Sequence, residues 1–140
     1  MTERDKQTIA KIELAKVPGI ITSIIYLGEL NEALEFSLMG TGIDYSKERV
    51  QTSPVNSMEE VMSRVADNSK KIEQLEETLE KYRQRINRIE DQESIDILID
   101  IYVKSKTFSK IAEERDLKHK SNVEYKHKKA LTLYYNINCQ

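Results

Sequence analysis

A heptad-like repeat of apolar residues between positions 58 and 89 constrains the fold of this chain more than any other feature. The residues recur in alternating steps of three and four, which places them on one side of a single long α-helix. Such a stripe has to be covered, because apolar surface is unfavourable in water. The repeat consists of Met58, Val61, Val65, Asn68, Ile72, Leu75, Leu79, Tyr82, Ile86 and Ile89.

A second apolar stripe predicts an antiparallel partner helix over residues 19–39. Pro18 fits its first turn, where a missing N–H costs nothing, and Gly40 and Gly42 are expected to end it. A shorter helix should precede Pro18, and the sequence leaves open whether the two helices are kinked or broken apart there. The second stripe is formed by Ile20, Ile24, Leu27, Asn31, Leu34 and Leu38, and is widened by Ile21 and Ile25.

The long helix should begin at a capping box and exceed its partner in length. Ser57 and Glu60 have the capping-box spacing. A helix over residues 58–91 would be roughly 50 Å long, whereas the partner would be roughly 30 Å long. The uncovered remainder predicts a homodimer, and the alternative is that the C-terminal part packs back onto the free end. Asn68 either pairs with its copy in a dimer or is an exposed interruption of the stripe.

Residues 93–140 change in character and predict a helix-turn-helix. Three short amphipathic helices are expected, with Thr107 capping the second and Ser121, together with Glu124, capping the third. A small residue in the second helix, Ala112, and a basic third helix are typical of this motif. We therefore predict an all-α protein with a helical hairpin or coiled-coil arm over residues 1–92 and a helix-turn-helix over residues 93–140.

The charge distribution points to a polyanionic partner. Residues 104–129 contain nine Lys/Arg and four Asp/Glu, a balance of +5, whereas the other residues have a balance of −7. A basic C-terminal block beside an acidic arm is what a nucleic-acid-binding end would show. The alternative is a basic face that only interacts with solvent.

The apolar pattern of the C-terminal block resembles region 4 of bacterial primary sigma factors. The resemblance rests on Tyr102, Thr107-Phe108, Ile111-Ala112, Leu117, Val123 and Ala130-Leu131. Three departures are Asp116, where a turn glycine is usual, Lys126, where an apolar residue is common, and the turn over residues 117–123, which is about one residue longer than in region 4.

Most of the chain, from about residue 20 to 135, also resembles short phage proteins of Gram-positive bacteria that are similar to phage late-gene transcription regulators. This likeness depends on the segment Arg49-Val50-Gln51-Thr52-Ser53 before the long helix and on His127-x2-Ala130-Leu131 after it. It implies a DNA-binding regulator of late genes.

The predicted DNA contacts follow from the expected geometry of the third helix. The outward side chains of a recognition helix read base edges, while basic residues around them hold phosphates. Asn122 suits adenine, and Tyr125 suits the backbone or a thymine methyl group. The predicted phosphate contacts are Lys106, Lys110, Lys118 and Lys120. The predicted outward residues of the third helix are Asn122, Tyr125, Lys128 and Lys129, with Lys126 at the edge of that face.

Other function classes lack a sequence signature. The chain has no catalytic Ser/His/Asp or Cys/His set, no Gly-rich phosphate loop and no zinc motif, so we expect neither enzyme activity nor a cofactor. His119 and His127 lack nearby ligand partners, and His127 is expected to pack between helices or to contact phosphate. No apolar run reaches the roughly 18 residues of a membrane span. We expect a protein of the bacterial host cytoplasm that binds double-stranded DNA, with RNA polymerase or a host regulator as the alternative partner.

Overall fold

The computed structural model describes residues 1–44 and 54–139. The regular elements of these residues are all helical, which confirms the predicted all-α class. None of their helices is long and apolar enough to cross a lipid bilayer. The elements are α1 (Glu3–Leu14), α2 (Lys16–Asp44), α3 (Pro54–Asn87), α4 (Gln92–Leu98), a π-helical segment (Ile99–Val103), α5 (Phe108–Glu114) and α6 (Lys120–Asn138).

The first two helices are separated by one residue, Ala15, rather than at the Pro18-Gly19 pair. Pro18 is the third residue of α2 and therefore lies in its first turn, as predicted. The expected end of α2 at Gly40 and Gly42 is wrong, because the helix continues to Asp44. A helical glycine costs only about 1 kcal/mol relative to alanine, which does not by itself terminate a helix.

The beginning of α3 also differs from the prediction. The helix starts at Pro54, three residues before Ser57, so Ser57 is not an N-cap and the predicted capping box is wrong. Proline is favoured at the first position of a helix because the N–H that it lacks would be unpaired there. The segment Arg49–Ser53, which carries part of the phage-protein resemblance, lies outside the described residues.

The chain divides into two compact units. One comprises residues 22–77, and the other combines residues 1–21 with residues 78–140. This division does not coincide with the boundary predicted between residues 92 and 93. The reason is that α1 packs along α6, while Ile86 and Ile89 at the end of the heptad stripe are buried in the same core as the C-terminal helices.

The unit of residues 22–77 contains the paired parts of α2 and α3. Within it the predicted stripe positions are buried or half-buried except Met58, which is 48% exposed, and Ile25 is 57% exposed and does not widen the stripe. Asn68 is not an exposed interruption of the stripe, because it is half-buried and its amide donates to Asn31 Oδ1 of the same chain (3.0 Å). Asn31 is itself buried and donates to Ser69 Oγ (3.1 Å). The polar interruptions of the two stripes therefore satisfy each other, as buried amides require.

The other unit is built around α6, which packs against α1, α4 and α5. Its main core combines residues from both ends of the chain. Its largest fully buried side chains include those of Tyr134, Leu14 and Ile86. The buried residues of this core are Ala10, Leu14, Val17, Ile86, Ile89, Ile95, Leu98, Tyr102, Ala130, Leu131 and Tyr134.

Candidate nucleic-acid interface

A second, smaller core holds α4, α5 and α6 together as a trihelical unit. Of the apolar residues predicted to face inward in α5 and α6, Ile111, Ala112 and Val123 are buried in it and the last three of α6 are buried in the main core, which confirms that part of the helix-turn-helix pattern. Leu117, the one apolar residue of the turn, packs against this core as well. The buried members are Ile97, Ile111, Ala112 and Val123, with Ile101, Phe108 and Leu117 packed against them.

The ends of α5 are well defined. Thr107 caps its N-terminus as predicted, since its hydroxyl accepts from the Lys110 N–H (3.1 Å). At its C-terminus the Leu117 N–H donates to the Ala112 carbonyl (2.8 Å), while Asp116 adopts a left-handed conformation with φ of 57°. This is a Schellman motif, which usually places glycine where this chain has Asp116. Aspartate tolerates this conformation better than most residues do.

The beginning of α6 differs from the prediction. The helix starts at Lys120, and His119 occupies the N-cap position without a side-chain hydrogen bond. Ser121 therefore lies inside the helix, and the predicted cap formed by Ser121 and Glu124 is wrong. Glu124 instead lines a cleft between α1 and α6. An uncapped start leaves N–H groups of the first turn available to an acceptor or to water.

His127 is a packing residue of α6, in agreement with the first of its two predicted roles. It is 6% exposed, and its Nε2 forms a hydrogen bond with the Tyr102 hydroxyl (2.8 Å). Its ring also packs near the ring of Phe108, with the centroids 5.4 Å apart. Burial, and to a lesser extent the positive charge of Lys11, lowers the pKa of His127 to about 4. The ring is therefore neutral at pH 7, and burial raises the pKa of Tyr102 to about 12.

Seven of the nine predicted contact residues are exposed on this unit, and six of these form no ion pair with a described carboxylate. Tyr125 is 73% exposed, so its ring makes little contact with the rest of the molecule. The four lysines of this group of six form no ion pair with any carboxylate of residues 1–39 and 57–139, whose side chains the structure describes. Their charges are thus available to an external anion. The six residues are Lys110, Lys118, Lys120, Asn122, Tyr125 and Lys128.

Two other predicted residues on α6 are paired with the start of α4. Lys126 Nζ lies 2.9 Å from Glu93 Oε1, and Lys129 Nζ lies 3.9 Å from Asp91 Oδ2. Asp91 also accepts from the Ser94 hydroxyl (2.6 Å), which lowers the pKa of this carboxyl group. These carboxylates would compete with an external anion for the two ammonium groups, so the two lysines are weaker candidates than the exposed lysines without an ion pair.

The last predicted residue, Lys106, belongs to an ion-pair network. Its ammonium group lies 2.7 Å from Glu114 and 3.7 Å from Asp100. These carboxylates, Glu114 above all, raise the pKa of Lys106. Asp100 also pairs with Arg115 (3.1 Å). The network joins the π-helical segment to α5, which gives Lys106 a structural role.

The spatial charge balance differs from the balance along the sequence. Residues 91–103, which contain α4 and the π-helical segment, have four acidic residues and no basic ones. Residues 91–129 together have nine Lys/Arg and eight Asp/Glu, a balance of only +1. Any binding of a polyanion therefore has to depend on the exposed lysines at the turn and at the start of α6 rather than on net charge.

The structure adds candidate residues from α1 that the sequence analysis missed. Arg4 and Lys11 line a cleft of about 670 Å³ together with Lys128 and Glu124 of α6. Their part in this cleft depends on the packing of the first helix on the last one. The only sequence feature that could have pointed to these two residues was the charged start of the chain. Charge alone does not indicate which helix another helix packs against.

Comparison with models of protein families, with characterised proteins and with solved structures finds no match for this chain. Within the two described ranges, no group of three or more His, Cys, Asp or Glu side chains is placed to hold a metal ion.

Proposed function

We propose that this chain is a DNA-binding transcription regulator of phage late genes that acts in the cytoplasm of a bacterial host. It contacts double-stranded DNA through the turn after α5 and the N-terminal half of α6. One observation carries the proposal: a trihelical unit presents the exposed start of α6 with Lys118 and Lys120, which lack ion-pair partners among the described residues. The phage and late-gene parts of the proposal rest on the resemblance described above.

The exposed residues have distinct roles in this proposal. Lys110, Lys118 and Lys120 hold phosphates, while Asn122 donates to and accepts from an adenine edge in the major groove. Tyr125 contacts the DNA backbone or a thymine methyl group. Contacts to phosphate orient the unit on the duplex, whereas Asn122 and Tyr125 supply the sequence preference.

The double variant Lys118→Gln/Lys120→Gln is expected to bind DNA less tightly, with a weaker dependence on salt. Each lost phosphate contact lowers the slope of log K against log salt by about 0.9. We therefore expect the slope to fall by about 1.8 and the affinity to fall by well over tenfold at low salt. Fluorescence anisotropy with a labelled duplex of phage DNA, titrated between about 50 and 200 mM salt, measures both quantities.

A matched control is Lys70→Gln/Lys71→Gln, which removes two exposed charges from α3. This control should retain the slope of the unmodified protein. An equal loss in both double variants would mean that only net charge matters. No loss in either, together with binding to RNA polymerase or a host regulator in the absence of DNA, would favour the alternative of sigma-region-4 mimicry.

We further propose that the protein acts as a homodimer whose chains meet at the unit of residues 22–77. This unit exposes large apolar side chains on both of its helices, including Phe36 at 74% and Met39 at 77%. Exposed apolar side chains of this number are typical of interaction surfaces. The exposed side chains are Ile25, Tyr26, Phe36, Met39, Met58 and Met62.

The variant Phe36→Glu is expected to sediment as a single chain, whereas the unmodified protein sediments as two. A carboxylate at an apolar interface loses its hydration without gaining a partner. The control is Gln84→Glu, which adds the same charge at an exposed position of α3 and should leave the dimer intact. A monomer for the unmodified protein at micromolar concentration would overturn the dimer proposal.

A further inference from the structure

We infer that α1 supplies a second set of phosphate contacts, from Arg4 and Lys11, that extends the DNA-binding surface of α6. The inference rests on the proposed function and adds to it a part of the chain that lies outside the helix-turn-helix.

The position of α1 relative to α6 is determined by direct contacts along both helices. Ala10 and Leu14 of α1 are fully buried in the main core. On the polar side, Gln7 Nε2 donates to Thr132 Oγ1 (3.1 Å), and the Tyr134 hydroxyl donates to Glu13 (3.0 Å). A helix held by both apolar burial and specific hydrogen bonds presents its remaining side chains at defined positions.

The side chains that α1 presents beside α6 include two cations. Arg4 and Lys11 line the cleft from the α1 side, and Lys128 lines it from the α6 side. None of the three forms an ion pair with a described carboxylate, unlike Lys126 and Lys129. The cleft floor contains the buried His127, whose pKa is lowered in part by the charge of Lys11.

The exposed face of α6 leads directly into this cleft. Asn122, Tyr125 and Lys128 are three residues apart, so they follow one another along the helix surface. The first two are the proposed base contacts, and the third is a cleft residue. A duplex seated on Asn122 and Tyr125 therefore brings a phosphate strand toward Lys128 and the two cations of α1.

The cleft also contains two carboxylates, which give the inference a second prediction of opposite sign. Glu3 and Glu124 line it and form no ion pair with described residues. A phosphate strand in the cleft would be repelled by them. Removing these negative charges should strengthen binding, whereas removing the positive charges should weaken it.

The test is DNA binding of Arg4→Gln/Lys11→Gln and of Glu3→Gln/Glu124→Gln in the full chain, measured by anisotropy across the same salt series. We expect the first variant to lower the slope by about 1.8 and to bind well over tenfold more weakly at low salt. The second should bind several-fold more tightly. Because Glu3, Arg4 and Lys11 are exposed, their substitution should leave the helicity measured by circular dichroism unchanged.

The outcome can be distinguished from a failure of the proposed function. If Lys118→Gln/Lys120→Gln weakens binding while the Arg4/Lys11 pair behaves like the Lys70/Lys71 control, the inference about α1 is wrong and the proposed interface stands. If none of these variants affects binding, the proposed function itself fails. Equal weakening by the Lys70/Lys71 control would also overturn the inference.

Discussion

Replacing Tyr134 with Ala is expected to lower the free energy of unfolding by roughly 3–5 kcal/mol, the usual cost of truncating a buried aromatic residue. Tyr134 is fully buried, and its hydroxyl donates to Glu13 of α1. Glu13 also pairs with Arg85 of α3. The substitution thus leaves a cavity and removes one of the links between three helices. Urea unfolding followed by circular dichroism measures the effect.

Two further variants separate the contributions of packing and hydrogen bonding. Tyr134→Phe keeps the ring and should cost about 1.5–3 kcal/mol, the range for a hydrogen bond to a charged group. Tyr135→Ala removes a neighbouring ring that is only partly buried and should cost less than Tyr134→Ala. If the two alanine variants were equally stable, the packing of α6 described above would be wrong.

Acidification is expected to destabilise the fold through His127. Because the pKa of His127 is lowered to about 4 in the folded protein, the unfolded chain takes up a proton first as the pH falls below the usual value of 6.5. Stability is therefore complete above about pH 6.5, is lost as the pH falls, and levels off below about pH 4 for this group. The depression corresponds to about 3 kcal/mol. Urea unfolding at a series of pH values between these limits measures it.

The two histidines of the chain provide the control. His127→Gln should have a flatter dependence of stability on pH, by about 3 kcal/mol over this interval. His119→Gln removes an exposed ring and should follow the unmodified protein. Carboxyl groups titrate in all three proteins, so the difference between the curves reports on His127. Parallel curves for all three would mean that the ring is not buried as described.

Much of the fold followed from apolar spacing. The heptad stripe of α3 and the inward residues of α5 and α6 were predicted because helical periodicity depends only on sequence distance. The end of α2 at Asp44 and the beginning of α3 at Pro54 were not predicted. Glycine and serine are disfavoured in helix interiors by only a small free energy, so their presence does not always mark a helix end. The packing of α1 on α6 joins residues more than a hundred positions apart, and no local pattern encodes it.

The candidate site was predicted less completely for a related reason. Periodicity correctly separated exposed positions such as Tyr125 from buried ones such as Val123. It did not show that Lys126 and Lys129 face the acidic start of α4, because that depends on how two helices cross. Conversely, Arg4 and Lys11 became candidate contact residues only because α1 lies beside α6 in the folded chain.

The pairing of the first helix with the last also bears on how the protein is made. A nascent chain emerges from the ribosome N-terminus first, so α1 cannot pack against α6 until α6 has been synthesised and released. Prematurely terminated chains would lack the helix that completes the core around Leu14. Such fragments should be degraded more readily than full-length molecules.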